Sequence, residues 1–103
     1  MKKRNVLLLP CLDFLLRITI TTRGKLATLE CKAVPTLINL MTEECVEMRL
    51  NALKLITTLS EAPAGRKELI TYVESISRLK NDKDSQAVRK AAQIAEKTIM
   101  WKP

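Results

Sequence analysis

The chain has 103 residues, a formal net charge of +7, and a composition that is 47% hydrophobic but only 3% aromatic. That length holds one small domain, and a Leu-, Ile-, Ala-, Lys- and Glu-rich sequence with two glycines and four prolines suits packed helices rather than a sandwich or barrel. Histidine is absent, which removes the usual general base, the commonest transition-metal ligand and every Ser-His or Cys-His arrangement. With no Gly-rich phosphate loop and no convergent carboxylate pair either, nothing points to an enzyme, a bound metal or another cofactor.

The first element lies in residues 5–22, NVLLLPCLDFLLRITITT. Lys2-Lys3-Arg4 ahead of an apolar run resembles the start of a signal peptide, but Asp13 interrupts the run and no A-x-A site follows. The run also falls well short of the ~20 apolar residues a membrane span needs. A membrane is therefore not an expected partner. The third reading is a helix whose neighbours lie elsewhere. It follows from an internal repeat: Met48, Arg49, Ala52, Leu55 and Leu59 match Val88, Arg89, Ala92, Ala95 and Ile99 at an offset of 40. One period earlier stand Leu8, Leu12 and Leu15, so residues 1–22 are expected to hold a third copy of the same helix, starting near Pro10.

The next unit, residues 23–60, reads as short helix, medium helix, long helix. Pro35 to Met41 (PTLINLM) opens on a proline, as a helix may, and Glu43-Glu44 is a polar break. Met48, Ala52, Leu55, Ile56 and Leu59 then mark one face of a long helix. The link Ser60-Glu61-Ala62-Pro63-Ala64-Gly65 has turn chemistry, with Gly65 free to adopt positive φ. Residues 61–103 repeat the pattern: Val73, Ile76 and Leu79 match Val34, Leu37 and Leu40 at an offset of 39, and Gly65 follows Gly24 by 41. The drift fits one inserted loop residue. A period near forty with three helices is that of HEAT and armadillo solenoids, and the fold expected is an all-α, right-handed solenoid of about two and a half repeats in a single domain.

Residues 29–60, LECKAVPTLINLMTEECVEMRLNALKLITTLS, resemble an armadillo repeat without a gap. Residues 61–101 follow it less closely, Glu74 standing where the pattern has proline. Three stretches, ITITTRGKLATLECKAVP, NALKLITTLSEAPAGRKEL and AAQIAEKTIMWKP, are similar to armadillo-repeat proteins of the radial spoke in motile cilia. Residues before Ile18 are least like that family, which suggests an alternative start or a truncated form. The resemblance implies a non-catalytic protein–protein interaction scaffold in the ciliary or flagellar axoneme, within cytoplasm and cytoskeleton, with radial-spoke or other axonemal proteins as partners. The alternative it allows is a general cytosolic armadillo adaptor.

In importin-type members a Trp and an Asn on the long helix hold an extended peptide; the matching positions here are Lys54 and Thr58, Ile94 and Thr98, and Phe14 and Ile18, so that ladder is absent. Glu47, Asn51, Lys54 and Thr58 lie on one stripe at helical spacing and, with Ile94 and Thr98, are the candidate partner-binding residues. Scattered basic residues and a single Phe, Tyr and Trp offer no stacking platform, so nucleic acid is not expected. Arg49 and Arg89 are expected to share a structural pairing with a helix end or a carboxylate. Trp101 is expected to fold back over the last layer, and Cys31 and Cys45 to pack as small hydrophobes. The odd count of three cysteines, with no C-x-x-C pair, fits reduced thiols. A Leu-rich first helix with no preceding layer is a possible surface for self-association.

Overall fold

The computed structural model describes Phe14, residues 16–19 and residues 21–102. The described residues are all-α, without a strand, and their radius of gyration of 12.7 Å is that of a compact domain of this length. From Thr22 onward the described residues form α1 (Thr22–Glu30), α2 (Val34–Leu40), α3 (Val46–Ser60), α4 (Pro63–Leu69), α5 (Val73–Arg78) and α6 (Gln86–Ile99). Single 3₁₀ turns at Ile70–Tyr72 and Leu79–Asn81 extend α4 and α5. The order short, short, long thus occurs twice. Phe14 and residues 16–18 are also helical, and Leu16 packs against the core. Leu8, Pro10, Leu12 and Leu15 lie outside the described residues, as does most of the surface expected to self-associate.

Local chemistry sets the ends. Thr21 caps α1, its hydroxyl accepting the Gly24 N–H at 3.0 Å, and Ser85 caps α6 by accepting the Val88 N–H at 3.2 Å. Pro35 and Pro63 sit in the first turns of α2 and α4, where a missing N–H costs nothing. Lys32 breaks the chain after α1 at φ 56°, a left-handed conformation for which a side chain is poorly suited.

α3 and α6 share the largest interface and carry the core. Met48, Ala52, Leu55, Ile56 and Leu59 from α3 meet Val88, Ala92, Ala95 and Ile99 from α6 in one cluster, all essentially buried, with Leu37, Leu69 and Ile76 from the shorter helices. Each fully buried Leu or Ile contributes about 1.5–3 kcal/mol, and small Ala52, Ala92 and Ala95 let the long helices approach closely.

The two glycines have a common cause, and it differs from the one expected. Neither has a positive φ. Gly65 lies inside α4, and the link between helices is only Glu61 and Ala62. An ideal Cβ on Gly65 would sit 1.9 Å from the Leu59 carbonyl oxygen, and one on Gly24 would sit 1.8 Å from that of Ile18. Each glycine lets a short helix cross the end of the helical segment before it, which accounts for their spacing of 41. Cys31 is another correction. It is exposed at the end of α1, where the chain turns away from the core, whereas Cys45 is half-buried against it.

Arg49 is the chief polar element inside the fold. Its Nη1 donates to the carbonyls of Glu43 (2.7 Å) and Glu44 (2.9 Å), ahead of α3. On its other side Nε lies 3.0 Å from Asp82 Oδ1, an ion-pair contact without hydrogen-bond alignment, and Nη2 is 3.2 Å from Asp84 Oδ2. The Asp82 carboxylate also accepts the Asp84 and Ser85 N–H groups at 3.1 and 3.0 Å, so it shapes the loop that leads into α6. Arg89 repeats half of this pattern, its Nη1 donating to the Asp82 carbonyl at 2.7 Å.

The two halves differ on one face. Met41, Leu53 and Ile56 are buried, whereas the residues in register with them are Lys80, Gln93 and Glu96. Gln93 is exposed, and Lys80 Nζ pairs with Glu96 Oε2 at 3.0 Å. Hydrogen bonds from Ser77 and then Lys80 hold the Glu96 carboxyl below the ordinary glutamate range, against a smaller opposing effect of desolvation.

Candidate functional site

Where α3 and α6 diverge toward solvent they leave a groove of about 430 Å³. α3 supplies Leu50, Lys54, Thr57 and Thr58, spaced 4, 3 and 1 apart; α6 supplies Ala87, Lys90, Ala91 and Ile94, spaced 3, 1 and 3. Both sets are single helical stripes, adjacent to the buried stripes that hold the helices together. The Thr57 and Thr58 hydroxyls donate back to the carbonyls of Leu53 and Lys54, both at 3.0 Å. With those hydrogens engaged, the threonines add methyl groups to a largely apolar floor. Lys54 and Lys90 are exposed and Ile94 is 56% exposed, so the groove offers apolar contact between two cations.

A second hollow, of about 400 Å³, lies beyond the ends of the long helices between Glu61, Arg66, Lys97, Thr98 and Trp101. Arg66 Nη1 donates to the carbonyls of Ser60 (3.0 Å) and Glu61 (3.1 Å), where α3 runs out of intrahelical partners. The same guanidinium lies over Trp101, its carbon 5.0 Å from the ring centroid. Trp101 is therefore not a cover for the last layer. It stands 56% exposed, held from one side by Arg66, because the chain leaves the helix at Met100 before the ring can turn into the core.

Three of the candidate residues, Lys54, Thr58 and Ile94, come together in the groove. Thr98 lines the second hollow instead, its hydroxyl donating to the Ile94 carbonyl at 2.8 Å. Glu47 is exposed and Asn51 half-buried on α3, and neither is among the groove walls. Sequence reasoning missed Leu50, Thr57, Ala87, Lys90 and Ala91. Leu50 and Lys90 sit one turn before Lys54 and Ile94, so the spacing that selected the latter pair could have found them. Arg66 carried no such signal, since its approach to Trp101 depends on how α4 crosses the end of α6.

No protein-family model matches the chain. Among the described residues no group of three His, Cys, Asp or Glu side chains is placed to hold a metal ion, and no helix is long and apolar enough to cross a membrane. What the groove can do chemically is bury apolar side chains and attract negative charge.

Proposed function

We propose that this chain is a non-catalytic protein–protein interaction scaffold, built as an armadillo/HEAT-like right-handed solenoid of about two and a half repeats, and that it serves as a structural component of the radial spoke in motile cilia. The observation that carries the scaffold reading is the recurrence of the helix triplet together with its fittings. Gly24 and Gly65 make the same carbonyl contact, Arg49 and Arg89 donate to the loop ahead of their own helix, and the two long helices flank a solvent-open groove. The polar register of Lys80, Gln93 and Glu96 suits the outermost layer of a stack. Placement in the axoneme rests on the three stretches similar to radial-spoke armadillo proteins. The partners in this reading are radial-spoke or other axonemal proteins.

The test is the fate of a tagged chain in a multiciliated cell after detergent has removed membrane and cytosol. Retention on axonemes, weakened by Ile94→Asp, supports both placement and groove. Loss of the unaltered chain with the cytosol refutes the axonemal placement and leaves the cytosolic adaptor.

A further inference from the structure

We infer that the partner segment received by this scaffold is an acidic peptide carrying apolar side chains, and that the Arg66–Lys97–Trp101 corner is the clamp for one of its carboxylates. This deepens the scaffold reading and depends on it. The groove and the corner lie in succession along α6 and past its end: Lys90 and Ile94 wall the first, Lys97 and Trp101 the second. Two cations face each hollow, Lys54 and Lys90, then Arg66 and Lys97. Against them stands one carboxylate, Glu61, already within 3.8 Å of Lys25. The one carboxylate of α6, Glu96, is turned away toward Lys80.

The corner presents donors without acceptors of their own. Arg66 commits Nη1 to the Ser60 and Glu61 carbonyls and its face to the indole, while Nη2 and Nε bond to nothing among the described residues. Lys97 is exposed and likewise unpaired among them. A carboxylate can take the open guanidinium edge, the geometry in which Arg recognises such groups. Charge alone does not explain the exposed Ile94 on α6 and the exposed Trp101 just past its end. Apolar side chains of the same segment would cover them. A single aromatic ring among threonine methyls and a leucine favours a peptide over a nucleic acid, which needs stacking platforms.

Trp101 is the chain's one tryptophan, so its emission reports on the corner directly. The full chain is titrated with a short Glu/Leu peptide lacking aromatic residues, with its Lys/Leu counterpart, and with a single-stranded oligonucleotide. The expected result is a saturable change of emission with the Glu/Leu peptide only, lost progressively with salt and weakened about five- to tenfold by Lys97→Glu, whose side chain holds nothing in the fold. A response to the Lys/Leu peptide as strong, or a tighter one to the oligonucleotide, overturns the proposal. So does calorimetric binding of the acidic peptide that leaves Trp101 emission unchanged. If no acidic peptide binds while Ile94→Asp still weakens axonemal retention, the scaffold reading stands and the partner chemistry is wrong.

Discussion

Replacing Asp82 with alanine removes the carboxylate from the Arg49 network and leaves a buried guanidinium without its closest counter-ion. The two side chains are 7% and 8% exposed, so water cannot readily replace the lost oxygen 3.0 Å from Nε. Breaking a buried pair from one side costs about 3–5 kcal/mol. Arg49 keeps two carbonyl acceptors and Asp84, which places the expected loss near the lower end, about 3 kcal/mol. Against the roughly 5–15 kcal/mol typical of such a domain this is severe, and it corresponds to a fall in Tm of about 12–24 °C. Urea and thermal unfolding followed by circular dichroism measure it. Asp84→Ala is the control: its carboxylate is 68% exposed and the loss should stay below about 1 kcal/mol. The double variant Arg49→Met/Asp82→Ala should recover part of the loss, because no buried charge is left behind. The reasoning is refuted if Asp82→Ala costs less than about 1 kcal/mol, or no more than Asp84→Ala.

Gly65→Ala would gain about 1 kcal/mol from helix propensity alone, but its methyl group meets the Leu59 carbonyl, so a net loss of about 1–3 kcal/mol in denaturant titration is expected. Lys32→Gly should raise stability by about 0.5–1 kcal/mol, since glycine takes the φ of 56° without strain; a lowered Tm would contradict this. Glu96 has a folded pKa below its unfolded value, so its contribution is full above the ordinary carboxylate range and is lost as pH falls through the lowered value. The stability gap between the unaltered chain and Glu96→Gln should accordingly be present at neutral pH and close on acidification, as read by Tm against pH.

Much of the fold was legible because helical burial is periodic and the period recurs. Met48 through Leu59 and Val88 through Ile99 show their buried faces by spacing alone, and Pro35 marks its helix start by removing a donor that needs no partner. The groove was partly legible for the same reason, since Lys54, Thr58 and Ile94 fall on stripes beside those faces.

Composition and periodicity by themselves determined that the described chain is all-α, which residues of the long helices form much of its core, and that those two helices are alike. Tertiary structure decided everything that depends on one element crossing another. It made the glycines sites of close approach to a carbonyl rather than turns, brought Asp82 to Arg49 across 33 residues of sequence, and set Trp101 over Arg66 in solvent instead of against the core. The physical reason is one of range. Periodic burial is encoded within a few turns of helix, whereas these contacts are fixed only when packing brings distant segments to within a few ångströms.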